Sequence, residues 1–267
     1  MSEQRLLDGK VAIVFGGSTG IGRSSAIRLA AEGAAVAVVA RREGPVADTV
    51  AEIESRGDAA LGIAADASVA TEVQDAIRQT VDTFGGIDIL VNSQGIQRYG
   101  TVEETDEALW DEVMNVNVKS MFLTAKYTIP EMRKRGGGAI VNVGSVQGLA
   151  TQTQVAAYST SKAANISLTR TIAVDYAAEG IRANIVLPAS IDTPLLRYGA
   201  DMFRGDRPQD DLIADWGRMH PVGRVGTSEE VAELVTFLAG PRASFITGAE
   251  IKIDGGMMAA LGVALPE

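Results

Sequence analysis

The 267-residue sequence contains no cysteine. Disulfides and thiol chemistry are therefore excluded. It contains one histidine, His220, too few for a zinc site of the usual His/Cys type, and no metal site is assigned. Cations are outnumbered. Against 34 Asp and Glu stand 24 Lys and Arg, a net charge of −10. The longest basic run is Arg133-Lys134-Arg135. Nucleic acid is not an expected partner, because neutralising phosphates takes a basic face. Long hydrophobic runs are missing too. Ala34 to Ala40 falls far short of the roughly 20 residues of a membrane helix, so no membrane partner is expected. The first residues, Met1-Ser2-Glu3-Gln4-Arg5, lack the apolar core of a signal peptide. The cytoplasm is the expected location.

What is present suits a packed globular chain: 46% apolar and 22% charged residues. Short β-branched runs read as buried strands at 11–15, 35–39, 89–91, 139–143, 182–186 and 250–253, with a weaker one near 59–64. Helical patterns lie between them at 21–32, 46–56, 70–84, 105–135, 157–178 and 228–239. Alternation through the whole length predicts an α/β fold, a doubly wound parallel sheet in a single domain over 1–267. The least regular stretch, 195–220, reads as a helical flap.

The first strand runs into Gly16-Gly17-Ser18-Thr19-Gly20-Ile21-Gly22. Glycines there permit a tight turn and let a pyrophosphate approach backbone N–H groups at a helix N-terminus. The second strand ends in Ala40-Arg41-Arg42 without a carboxylate. Arginine suits the 2′-phosphate of NADP, where an acid would read the ribose of NAD. NADP is the expected cofactor, with NAD the alternative. Further on, Tyr158 precedes Lys162 by one helical turn, the spacing at which an ammonium favours a phenolate.

Eight segments in order make the chain resemble the short-chain dehydrogenase/reductase family along nearly all its length. They are "LDGKVAIVFGGSTGIG" at 7–22, "AADAS" with Asp66, "NSQG" at 92–95, "NVNVKS" at 115–120, "IVNVGSVQG" at 140–148, "YSTSK" at 158–162, "VLPASIDT" at 186–193 and "ITGAEIKIDGG" at 246–256. Ser145 precedes Tyr158 by 13 residues, the family's spacing. The resemblance implies a Rossmann-type fold with a mostly parallel seven-stranded sheet and helices on both faces. It implies catalytic roles for Asn117, Ser145, Tyr158 and Lys162. Ser145 would hydrogen-bond the substrate oxygen and Tyr158 would be the acid/base. Lys162 would lower the phenol's pKa and bind ribose hydroxyls, and Asn117 would hold a relay water. Cofactor contacts are implied at Gly16, Ser18, Gly20, Ile21, Gly22, Arg41, Arg42, Asp66, Ala67, Asn92, Gly95, Tyr158, Lys162, Pro188, Ile191 and Thr193. A homotetramer is implied, formed through the long helices and the closing strand, with the apolar tail "MMAALGVALPE" at a subunit contact. Three residues depart from the family's pattern: Phe15 replaces a threonine whose hydrogen bond stitches the turn, Gln94 replaces alanine, and Ala189 replaces glycine, which restricts that turn if its backbone needs positive φ.

Substrate contacts are expected from 94–99, 146–154 and 190–220. Gln97, Gln147, Gln152 and Arg197 lead, with Arg98, Gln154, Arg204, Arg207 and His220 beside them. So polar a set points to a small-molecule substrate such as a sugar or polyol, with the arginines meeting any anionic group. Two other readings stand beside this one. The first is a 3-oxoacyl-[acyl-carrier-protein] reductase, which the charge of −10 disfavours because that carrier is acidic. The second is a catalytically silent cofactor-binding sensor or scaffold.

Overall fold

The structure, a computed structural model, describes residues 5–261. The signal-peptide reading rests mainly on residues 1–4, and the tail expected at a subunit contact runs on through 262–267; both segments lie outside the described residues. Seven parallel strands form one sheet: β1 (Val11–Phe15), β2 (Ala35–Ala40), β3 (Ala60–Ala64), β4 (Ile89–Asn92), β5 (Gly138–Val143), β6 (Ile181–Pro188) and β7 (Glu250–Ile253), in the order β3-β2-β1-β4-β5-β6-β7. The described helices are α1 (Gly20–Ala31), α2 (Glu43–Ser55), α3 (Ala70–Phe84), α4 (Glu107–Met114), α5 (Ser120–Lys134), α6 (Ala156–Tyr176), α7 (Pro194–Phe203), α8 (Gln209–Arg218) and α9 (Ser228–Ala239).

The continuous apolar character of the central strands has a simple cause: both faces of the sheet are covered. Alternate side chains leave a strand on opposite faces. Ala12 and Val14 of β1 join a core with Leu29 of α1, Ile53 of α2 and Val235 of α9. Ile13 and Phe15 join a second core with Ile77 of α3, Ile129 of α5 and Ile172 of α6. Each of the larger side chains, Val, Leu, Ile or Phe, contributes about 1.5–3 kcal/mol on burial. Phe15, which cannot make a threonine's hydrogen bond, is fully buried there, and its carbonyl accepts from the Ser93 N–H at 2.9 Å.

Strand order reverses between β1 and β4. Chains on the two sides of that point turn away from each other and open a crevice at the carboxyl ends. A buried polar ladder fixes what lies beside it. Thr124 of α5 donates to Asn92 Oδ1 (2.7 Å), Asn92 Nδ2 to Asn142 Oδ1 (2.9 Å), and Asn142 Nδ2 to Thr169 Oγ1 of α6 (2.8 Å). An unpaired member of such a ladder would cost about 1–3 kcal/mol, so β4, β5, α5 and α6 are held in one register.

One expectation changes. The helix expected over 105–135 is α4 and α5 joined by a π-helical turn, Asn115–Lys119. Within it Asn117 turns inward and bonds both Ile96 and Ser161, a wider turn of the kind often found at functional sites. The irregular stretch after β6 folds as α7 and α8. Thr193 caps the first of these by accepting from the Leu196 N–H at 3.3 Å.

Candidate active site

The crevice holds a cleft of about 970 Å³, lined by the segments that follow β1, β2, β3, β4, β5 and β6. That is room for a dinucleotide with a small molecule beside it. The glycine turn forms one end. Gly16 has φ +75°, and a Cβ there would lie 2.6 Å from the Gln94 N. A Cβ at Gly22 would lie 2.1 Å from the Gly16 carbonyl oxygen. Only glycine lets this turn close on itself and on the segment after β4, leaving backbone N–H groups facing the cleft at the start of α1. This cradle fits a pyrophosphate. Arg41 and Arg42, at the end of β2, line the cleft, and neither makes an ion pair among the described residues, with Glu43 or any other acid. Asp66 lines it as well, its Oδ1 accepting from the backbone N–H and hydroxyl of Ser68 at 2.8 and 2.7 Å.

At the other end, Tyr158 and Lys162 share the buried face of α6, at 6% and 5% exposure. Lys162 Nζ donates to the carbonyl of Val143 at the tip of β5 (3.3 Å) and lies 5.5 Å from the Tyr158 ring centre. Ser145 follows the same strand and caps a short turn, its Oγ accepting from the Gln147 N–H at 3.1 Å. Because the oxygen accepts there, its own proton is free to donate into the cleft. The segment between them carries strain. Gln154 adopts φ +61°, at about 1–3 kcal/mol. Its carbonyl takes the Gly100 N–H at 2.8 Å, tying the Tyr99 segment to the start of α6.

Most of the residues expected at the site gather here. Ser145, Tyr158 and Lys162 line the cleft. So do Gly16, Ser18, Gly20, Ile21, Arg41, Arg42, Asp66, Ala67, Gly95, Pro188, Ile191 and Thr193, with Gln97, Gln147 and Gln152. Four do not. Gly22 lies behind the turn it permits. Asn92 is wholly buried in the polar ladder. The Asn117 amide is bonded to protein through both of its atoms, its Oδ1 taking the Ile96 N–H and its Nδ2 donating to the Ile96 carbonyl and Ser161 Oγ. Arg197 is turned away, bonded to both oxygens of Asp192 (2.8 Å each) and to Asp210. Arg98, Arg204 and Arg207 are likewise paired with Glu112, Asp201 and Asp215. His220 is buried outside the cleft, where its Nε2 accepts from the Ser190 N–H.

The other departures also find places. Gln94 Nε2 donates inward to Asn92 Oδ1 and Ser120 Oγ, at 3.3 and 3.1 Å. Ala189 does not have positive φ, so it meets no restriction. The sequence reading missed an apolar wall of Tyr99, Leu196, Phe203, Trp216, Met219 and Met258. The signal was present in α7, where Leu195, Leu196, Gly199 and Phe203 recur at helical spacing.

The expected electrostatics are reversed. Burial pushes the Tyr158 phenol up to about 12, against the pull of the Ser145 hydroxyl. Burial holds the Lys162 ammonium down to about 8. In a dry pocket the cost of desolvating a charge exceeds what a cation beside the ring offers, so both groups favour their neutral forms.

Comparison with known proteins agrees with this geometry. A family model described as enoyl-(acyl carrier protein) reductase matches residues 16–258. An uncharacterized oxidoreductase of Thermotoga maritima is 42% identical over 94% of this chain and 98% of its own. The chain belongs to the short-chain dehydrogenase/reductase family. A further member, the 2-(S)-hydroxypropyl-CoM dehydrogenase 3 of Xanthobacter autotrophicus, is 37% identical over 95% of this chain and 98% of its own. The solved aldohexose dehydrogenase of Thermoplasma acidophilum, in ligand-free form, superposes with a TM-score of 0.90 at 37% identity, covering 99% of both chains. As a short-chain dehydrogenase/reductase the protein is an NAD(P)-dependent oxidoreductase of alcohols and the corresponding ketones. No helix among its described residues is long and apolar enough to cross a membrane.

The lysine gives a pH signature. Folded, Lys162 releases its proton near pH 8; its ordinary value is 10.5. Between these values the unfolded chain binds more protons, so stability rises with pH. Relative to Lys162→Met, the wild-type chain should gain up to about 3 kcal/mol from pH 8 to 10.5. Tyr158 acts in the opposite sense only between pH 10 and 12. Urea denaturation across that range checks this, and a constant difference between the two proteins contradicts it.

Proposed function

We propose that the protein interconverts a secondary alcohol, or a sugar hemiacetal, and the corresponding carbonyl compound, with NADP(H) as cofactor and a small neutral sugar or polyol as substrate. The observation that carries this reading is the meeting of Ser145, Tyr158 and Lys162 at one end of a cleft whose other end is the glycine turn. The Ser145 hydroxyl donates to the substrate oxygen and orients it. Tyr158 gives that oxygen a proton in reduction and takes the proton away in oxidation. The buried Lys162 ammonium, anchored on the Val143 carbonyl, offsets negative charge as it develops on the phenol oxygen. Asn117 acts one step back by holding Ile96 and Ser161.

The cofactor's pyrophosphate would lie on the turn of Gly16, Ser18 and Gly20, and its nicotinamide beside Pro188, Ile191 and Thr193. The chemistry supplied by the bound nicotinamide is hydride exchange with the carbinol carbon. The unpaired Arg41 and Arg42 support a 2′-phosphate, hence NADP. Gln97, Gln147 and Gln152, and the likeness to an aldohexose dehydrogenase, support the sugar or polyol. The carrier-protein reading has less support. Arg133, Lys134, Arg135 and Arg170 are already paired with Glu179, Glu131, Asp88 and Glu250.

We also infer one catalytic unit with α7 and α8 as its flap, assembled as a homotetramer. The long helices leave Phe122 and Val174 at 46% and 79% exposure, and Phe245 near β7 is fully exposed. Apolar side chains so placed suit a face covered by another copy. Light scattering should read the mass of four chains; the mass of one overturns this part. For the reaction, Tyr158→Phe should lower kcat/KM by about 1,000-fold or more, within the range of acid–base catalysis, while NADP(H) binding stays within a few-fold. Wild type should prefer NADPH to NADH. Turnover kept in Tyr158→Phe sinks the mechanism.

A further inference from the structure

His220 is the single histidine of the chain. It is buried, at 3% exposure, and the proposed chemistry leaves it unused. Three segments that line the cleft meet around it. The first follows β6, where Ala189, Ser190 and Ile191 lead from the sheet to Thr193 and the start of α7. The second is the end of α8, which presents Trp216 and Met219 to the cleft. The third follows β7. There Gly255, at φ +56°, packs so close that a Cβ would lie 3.3 Å from that of His220. Its carbonyl accepts from the Val222 N–H at 3.2 Å. The imidazole joins the first two segments. Its Nε2 accepts from the Ser190 N–H at 3.3 Å, and its Nδ1 lies 3.0 Å from the Trp216 carbonyl oxygen and 3.3 Å from that of Gly217. A backbone N–H only donates and a carbonyl only accepts. One form of the ring satisfies all three contacts: the neutral imidazole with its proton on Nδ1.

We infer that His220 is a positioning residue. In its Nδ1–H form it latches the end of α8 to the loop after β6, and so fixes where the nicotinamide and the Trp216 wall stand relative to each other. This rests on the reading of Pro188, Ile191 and Thr193 as the nicotinamide's side of the cleft. The Ser190 N–H, left without its acceptor, is costly to keep in place, so without the imidazole acceptor the loop shifts to find another partner. Ile191 is the next residue and Pro188 stands two before, so a shift at Ser190 moves the surface that meets the nicotinamide. The adenine end is built differently. Arg41, Arg42 and Asp66 stand after β2 and β3, on segments that His220 does not bond. The latch therefore acts on one half of the cofactor and not on the other.

With one histidine in the chain, nitrogen-15 histidine labelling gives a ring signal that needs no assignment. Proton–nitrogen correlation on the cofactor-free protein should show Nδ1 protonated and Nε2 bare. That signal should move on binding NADPH and stay in place on binding adenosine 2′,5′-bisphosphate, which carries only the adenine half. Two variants separate the contacts. His220→Asn keeps a donor for the Trp216 carbonyl but is too short to accept from Ser190, whereas His220→Gln has the reach. By calorimetry, His220→Asn should weaken NADPH binding by about 10-fold, the scale of one lost hydrogen bond. Binding of the bisphosphate should stay within about 2-fold. His220→Gln should hold both ligands within about 3-fold of wild type. A protonated Nε2 overturns the latch, as does a ring signal that ignores NADPH or answers both ligands. So does a His220→Asn protein that weakens for both ligands alike or for neither. If the variants do not fold, the wild-type spectra decide. A wild-type chain that takes up no NADPH sinks the cofactor reading and this role with it, and that failure is distinguishable because it precedes any substitution.

Discussion

The site depends on keeping two ionisable groups dry. Tyr158 and Lys162 sit one turn apart on the buried face of α6, nearly inaccessible to water. Water would stabilise both charged forms and let each group titrate as it does in a peptide. Without it the phenol keeps its proton to about 12 and the ammonium releases its own near 8. A proton held so firmly is stored for transfer. Negative charge on the phenol oxygen becomes affordable only when further positive charge or a hydrogen-bond donor arrives, so proton transfer waits for the site to fill.

The fold supplies the dryness and the geometry together. In a sheet covered on both faces a crevice opens where strand order reverses, and the segments lining it lead from the carboxyl ends of the strands. The ladder from Thr124 through Asn92 and Asn142 to Thr169 fixes α6 against β4 and β5. The Val143 carbonyl then holds the Lys162 ammonium from the sheet side. Asn117 and the strained Gln154 hold the segments around Ile96 and Tyr99 against the same helix. Positioning is spread over many weak bonds, while the groups that touch substrate are few.

Much of this was legible in the sequence. Strand and helix order followed from runs that switch between nearly continuous and helical apolar spacing. The glycine turn and Tyr158-x-x-x-Lys162 were visible because both impose local spacing. What could not be read was how side chains choose partners. Arg197, Arg204 and Arg207 were expected to meet any anionic group of the substrate, but Asp192, Asp201 and Asp215 lie within reach and claim them. Phe203 and Trp216 face the cleft because α7 and α8 fold over it, a long-range consequence. The direction of the Tyr158 shift was misjudged for a related reason: spacing shows that a cation is near, but burial decides which effect wins.

The central claim is that the phenol is locked in the empty site and released by positive charge. Carbon-13 NMR of Cζ-labelled tyrosine, with Tyr158→Phe to assign the signal, measures it directly. The account predicts titration near pH 12 in the free protein and a fall of at least about one pH unit on saturation with NADP⁺. A Tyr158 signal that titrates at the same pH with and without NADP⁺ would contradict it.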